Sequence, residues 1–155
     1  MLATPHILVG GAIGKGVKRP SAALLLAFGS HLVLDAVPHV DAVSLLGLGG
    51  PKSNLAIAGD ALVGAVLLLL LARGQVRTRW ILRCALAAII MDVIVTLPAW
   101  FPVAGGWPVL RHLCWLHSAA GGLNPDPGRL IGLATQAPAL ILPVFLLYRR
   151  ARPDG

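Results

Sequence analysis

Glutamate is absent from this chain of 155 residues, and 13 basic residues stand against only six acidic ones, all of them aspartates. Charged residues make up 12% of the chain, whereas about 25% is usual in soluble domains. Hydrophobic residues reach 57%. This composition excludes an ordinary soluble domain, and it predicts a single membrane domain over residues 1–155 that contacts membrane lipids. We expect no nucleic-acid binding despite the net charge of +7.

Cysteine is almost absent too, because Cys84 and Cys114 are the only two and lie far apart in apolar sequence. They support neither a disulfide framework nor a C-x-x-C metal site. The first apolar segment lacks a basic region before it and a typical cleavage site after it, so we do not expect a cleaved signal peptide.

Long apolar runs are abundant. A bilayer core about 30 Å thick requires about 20 apolar residues per helix, and four runs come near this length. They cover residues 21–37, 55–72, 80–101 and 130–148. A fifth run, residues 5–14, is short and should dip into the bilayer or pair with a neighbour. Residues 102–129, rich in glycine and proline, should form a cap containing a short helix. The predicted fold class is all-α: a polytopic membrane bundle of four full spans, a short N-terminal helix and a cap helix.

The basic residues predict the orientation of this bundle. If each segment crosses the membrane, ten of the 13 Lys and Arg residues fall on one side, which the positive-inside rule makes cytoplasmic. Those ten are Lys15, Lys18, Arg19, Arg73, Arg77, Arg79, Arg83, Arg149, Arg150 and Arg152. The C-terminus is then cytoplasmic and the cap extracytoplasmic.

Gly10 and Gly14 lie four residues apart in the short first segment. Small residues at this spacing permit close approach of two membrane helices. The alternative is that these glycines only serve turns.

The densest group of polar residues within the apolar sequence runs from His31 to Asp41. His31 and Asp35 are four residues apart, so both project from one helix face and can reach the same ion. Pro38 should end that helix, and the emerging chain can bring His39 and Asp41 over the same site. Imidazole and carboxylate ligands suit zinc or another divalent transition metal.

Further polar residues fall at a similar depth in the predicted topology. Asp60 and Asp92 lie within apolar runs, where an ionisable side chain is costly unless it pairs, faces a cavity or binds an ion. His6 enters the first segment from the outside, and His117 belongs to the cap. We expect His6 as a further metal ligand and Asp92, Asp60 and His117 as catalytic or orienting groups around one or two ions.

Structural alternatives remain open for each group. His31 and Asp35 could form a hydrogen-bonded pair between helices, and His39 with Asp41 could be a solvated turn. Asp60 and Asp92 could each pair with an arginine, such as Arg111 or Arg83. His6 could be an interfacial histidine, and His112 could be a surface residue.

The N-terminal quarter of the chain resembles a known family. The residues that carry the resemblance are Thr4-Pro5-His6, Gly10-Gly11, Gly14, Gly29 to Asp35, and Pro38 to Asp41. They resemble the YdjM-like membrane-bound metal-dependent hydrolases of bacteria, and His117-Ser118 gives a further match. Their His and Asp usage is more distantly similar to that of zinc-dependent phospholipase C.

The resemblance implies a divalent metal held by His31, Asp35 and His39, with His6 and Asp41 as further ligands. It also implies hydrolysis of a small phosphoester or another lipid-like, membrane-associated substrate. Because glutamate is absent, a side chain acting as general base must be an aspartate or a histidine. The alternatives to a hydrolase are a metal-ion or proton transporter and a non-catalytic membrane assembly protein.

Overall fold

Each apolar run forms a helix. The computed structural model of the protein describes residues 2–40, 51–122 and 128–149. Within these ranges every secondary-structure element is a helix, and a short 3-10 helix, Pro102–Gly106, precedes the fifth α-helix. The six α-helices are α1 (Ala3–Gly16), α2 (Pro20–Ala36), α3 (Pro51–Ala72), α4 (Thr78–Trp100), α5 (Pro108–Gly122) and α6 (Gly128–Tyr148).

Prolines mark the helix boundaries. Three helices begin at a proline, where the missing N–H costs nothing because the first turn has no intrahelical acceptor for it. At the other end of α2, Pro38 disfavours a helical conformation at Val37, whose ψ is 137°. The helix therefore ends at Ala36, one residue after Asp35. The all-helical class is confirmed for the described ranges, and these helices begin and end within four residues of the predicted apolar segments.

The short first helix is the centre of the bundle. It contacts α2, α3, α4 and α6, and most of its residues from Thr4 to Gly14 are buried. A Cβ on Gly10 would lie 2.6 Å from both Ala88 Cβ and the Cys84 carbonyl oxygen of α4. One on Gly14 would collide with the backbone of Trp80. The prediction that these glycines permit close helix contact is confirmed.

Two helices are long and apolar enough to cross a membrane, over Leu55–Ala72 in α3 and Leu130–Tyr148 in α6. Only 17% and 22% of these two stretches are buried inside the protein, so their apolar side chains lie mostly on its surface. The 17 residues of α2 form a shorter apolar helix. Four full spans therefore remain a prediction.

Helix α6 contacts residues 38–40, which follow α2. Gly132 lies so close to Val40 that a Cβ there would collide with it. Thr135 donates its hydroxyl to the Pro38 carbonyl, and the buried Gln136 amide donates to the Val40 carbonyl. These contacts fix the direction in which the chain leaves the helix that carries His31 and Asp35.

Candidate metal centre

His31 and Asp35 form the buried core of the site. They lie one turn apart on α2, on the face that packs against α1 and α4. The His31 Nε2 atom is 3.1 Å from Asp35 Oδ2, and the His31 side chain is 0% exposed. The spacing seen in the sequence therefore places both groups on one inward face.

His6 joins this pair from α1. Its Nε2 atom lies 3.2 Å from Asp35 Oδ1, the other oxygen of the same carboxylate. Its ring also stacks on that of His31, with centroids 4.3 Å apart. Asp35 thus links an imidazole of α1 to one of α2.

Asp92 of α4 and His117 of α5 close the other side of the site. The His117 Nε2 atom is 3.3 Å from Asp92 Oδ1, which makes a hydrogen bond, and 3.4 Å from Asp35 Oδ2. Asp92 Oδ1 is also 3.5 Å from His31 Nε2. Four helices, α1, α2, α4 and α5, therefore supply five side chains to one cluster.

The second nitrogen of His31 determines how its ring can act. Nδ1 lies 2.8 Å from the carbonyl oxygen of Ala88, which can only accept, so Nδ1 carries the proton of the neutral ring. Its Nε2 atom lies 3.1 Å from Asp35 Oδ2 and 3.5 Å from Asp92 Oδ1. A positive charge between these groups, a proton or a metal ion, would offset the repulsion between the two carboxylates.

The distances fit a metal ion as that charge. Zinc ligated by nitrogen and oxygen at about 2.0–2.1 Å in a tetrahedron has ligand atoms about 3.3 Å apart. The four N···O distances that join His31 Nε2 and His117 Nε2 to Asp35 Oδ2 and Asp92 Oδ1 are close to this value, at 3.1, 3.5, 3.4 and 3.3 Å. The buried cluster could therefore hold a metal ion.

Two overlapping groups of possible ligands occur here, one with His6, His31 and Asp35 and one with His31, Asp92 and His117. Both require His31, whose Nδ1 is already engaged by Ala88. A neutral imidazole offers one lone pair, so the two groups are alternatives for one ion rather than two independent sites.

The cluster is closed on one side and open on the other. The side chains of His6, His31 and Asp35 are buried, with 6% exposure at most. His117 is 28% exposed and Asp92 43% exposed. A ligand from outside would therefore meet Asp92 and His117 first.

Not every predicted residue belongs to this cluster. The structure brings together His6, His31, Asp35, Asp92 and His117. The ring of His39 instead donates from Nδ1 to the carbonyl oxygen of Val37, two residues earlier, at 2.8 Å. Asp41 lies outside the described residues.

Asp60 has a different partner, Thr4. Its carboxylate accepts from the Thr4 backbone N–H at 3.2 Å and from the Thr4 hydroxyl at 2.7 Å. It thereby caps the first turn of α1, two residues before His6. The described contacts of Asp60 and Asp92 are thus with threonine and histidine, not with the arginines considered from the sequence.

Sequence reasoning missed three groups around the cluster. The Ala88 carbonyl that orients His31 has no signal in the sequence, because any residue supplies a carbonyl. Nothing in the sequence indicates that Thr4 is the hydrogen-bond partner of Asp60. Gln136 had a signal, since a lone amide within an apolar run needs a buried partner.

Comparisons with protein-family models, curated proteins and solved structures gave no match to this chain. The functional argument therefore depends on the geometry of the cluster.

Proposed function

We propose that the protein is an integral membrane hydrolase that uses one divalent metal ion, zinc by its ligand chemistry, to cleave a lipid-like substrate. The observation that carries the proposal is the cluster of imidazole nitrogens and carboxylate oxygens, whose N···O distances of 3.1, 3.5, 3.4 and 3.3 Å are close to those between neighbouring zinc ligands. The resemblance to YdjM-like membrane-bound hydrolases agrees with this proposal.

Surface chemistry supports the membrane location. Large apolar side chains cover the outer faces of α3 and α6, among them Leu62 at 65% and Ile141 at 68% exposure. In water such continuous apolar surface would promote aggregation, whereas in a bilayer it meets lipid chains. We place α2 to α4 and α6 as four spans in a bacterial inner membrane, with the C-terminus cytoplasmic and the metal centre in the extracytoplasmic half.

His31, Asp35 and His117 are the proposed ligands. Catalytic zinc sites usually combine three protein ligands with one open position, and the open side of this cluster is where Asp92 lies. The Ala88 carbonyl holds the His31 ring in position, and His6 holds the second oxygen of Asp35. Such outer contacts fix the direction of metal ligands.

When bound, the metal would lower the pKa of a water molecule and polarise a phosphoryl or acyl oxygen. Asp92 is the proposed general base, because its carboxylate is the most exposed acid of the cluster and touches both His31 and His117. The 3.3 Å contact between His117 Nε2 and Asp92 Oδ1 would place the Asp92 carboxylate beside the ion.

A lipid phosphoester suits this arrangement. The open side of the cluster faces the cap helix α5 at the outer end of the bundle, at the depth where phospholipid headgroups meet acyl chains in the proposed topology. A substrate already in the membrane reaches this side by lateral diffusion, so no large external domain is required.

The test is turnover of phospholipids by zinc-loaded protein in mixed micelles, followed by ³¹P NMR, which resolves phosphoester cleavage from deacylation. We expect turnover by the wild type, a loss of at least about 100-fold in Asp92→Asn, and retained metal in that variant. The matched control is Asp60→Asn, which should keep activity. A protein that holds its ion but transforms no phospholipid would favour the transporter instead.

A further inference from the structure

Two apolar grooves share a wall made by residues of α1 and α2. One, of about 480 Å³, lies between α1 and α2, and the other, of about 400 Å³, lies between α1 and α6. Both volumes are within the range of small-molecule sites, about 300–1,000 Å³. Val9, Ile13 and Leu34 line both grooves and so form the wall between them.

This shared wall adjoins the residues of the cluster. Leu34 directly precedes Asp35, and Val9 lies about one turn beyond His6 on α1. Both grooves extend from there toward the end of α1 that carries Lys15. In the proposed topology this direction leads from the extracytoplasmic half toward the middle of the bilayer.

The linings leave no polar group for a ligand. Leu25, Val33 and Gly29 line the groove between α1 and α2, and its one hydroxyl, that of Ser30, donates to the Ala27 carbonyl. The other groove has an aliphatic lining that includes Ala139 and Leu142. Each groove is therefore complementary to hydrocarbon alone.

We propose that the two grooves hold the two acyl chains of one diacyl lipid, whose headgroup lies at the metal centre. This inference rests on the proposed function and specifies its substrate as a two-chain lipid. Two grooves divided by one wall, with Leu34 of that wall next to Asp35 and Val9 one turn from His6, match an amphiphile whose two chains are joined at a polar group. A transmembrane helix is about 10–12 Å wide with its side chains and would need one broad surface instead.

Filling either groove tests the proposal. A Cβ on Gly29 has open space around it, so Gly29→Phe places a ring in the first groove, and Ala139→Phe does so in the second. The matched control is Gly59→Phe on α3, also in open space and away from both grooves. Each zinc-loaded protein is titrated with dipalmitoyl phosphatidylglycerol and with its single-chain lyso form, and bound lipid is counted by native mass spectrometry.

For the wild type and Gly59→Phe we expect at least about tenfold tighter binding of the two-chain lipid than of the lyso form. In Gly29→Phe and Ala139→Phe that preference should fall to less than about twofold, while zinc content and elution profile stay unchanged. Equal binding of both lipids by the wild type would overturn the proposal. So would groove variants that behave like Gly59→Phe, or a dimer of the wild type that Gly29→Phe dissociates.

Binding is read without turnover, so the two proposals fail separately. A preference for two chains in a protein that cleaves no lipid would count against the hydrolase but support the grooves. Turnover without a chain preference would do the opposite.

Discussion

The Nδ1–H of His31 on α2 donates to the carbonyl oxygen of Ala88 on α4, across 2.8 Å. The orientation of the central imidazole is thereby tied to the packing of α4. A Cβ on Gly10 of α1 would lie 2.6 Å from Ala88 Cβ, so the two helices are in close contact at this residue. A glycine with no chemical role in the cluster therefore contributes to its geometry.

Gly10→Ala should destabilise the bundle. The added Cβ would lie 2.6 Å from Ala88 Cβ and from the Cys84 carbonyl oxygen, and neither can move without shifting α4. Such overpacking typically costs about 1–3 kcal/mol, and here it should also reduce bound metal because the Ala88 carbonyl moves. Thermal unfolding in detergent, with metal analysis, measures both effects. Gly29→Ala, on α2, is the control, because the new methyl group has open space around it and should not lower the Tm. An equal change in Tm and in bound metal in the two variants would contradict this account.

Asp60→Ala should lower stability and leave metal binding intact. The carboxylate accepts from the Thr4 N–H and hydroxyl in the first turn of α1, and loss of such a cap costs about 0.5–2 kcal/mol. Asp92→Ala should also retain its zinc, because Asp92 is the proposed general base and not a ligand, but it should lose turnover. The measurement is Tm beside zinc content and turnover for both variants. Loss of zinc from Asp60→Ala at normal Tm would show that Asp60 has a role at the ion.

His6→Ala should weaken the metal site without abolishing it. His6 contacts Asp35 Oδ1, whereas the proposed ligand atom is Oδ2, so His6 orients the ligand from behind. Loss of such a contact typically lowers metal affinity about 10–100-fold. Competition with a chromophoric chelator gives the dissociation constant. His112→Ala is the matched control, since its exposed ring bonds to the Pro108 carbonyl on α5, and it should change the affinity less than about threefold. An unchanged affinity in His6→Ala would exclude the orienting role.

The helices and the core pair of the site were predictable from the sequence because they depend on local patterns. Apolar runs and prolines set the helix ends, and a spacing of four residues alone puts His31 and Asp35 on one face. The fold also brings His6, Asp92 and His117 to this pair, as the prediction of one site required.

Local sequence patterns could not predict the hydrogen-bond partners of His39 and Asp60. The spacing of His31 and Asp35 defines one helix face, but this rule ends at Pro38, where the chain is no longer helical. The His39 ring there donates to the Val37 carbonyl, two residues earlier. Asp60 lies at a suitable depth, yet a neighbouring helix N-terminus offers it two donors. Depth orders residues along the membrane normal and leaves their positions within the plane undetermined.

Elemental analysis of the purified protein is the most direct measurement of the central claim, that His31, Asp35 and His117 hold one metal ion. After reconstitution with zinc and removal of excess ion without chelators, the wild type should contain about one equivalent. The His31→Gln, Asp35→Asn double variant and His117→Gln should lose it at a normal elution profile. His112→Gln, on the same helix as His117 and bonded to the Pro108 carbonyl, should retain it. A wild type without metal, or a double variant that keeps its ion, would contradict the account.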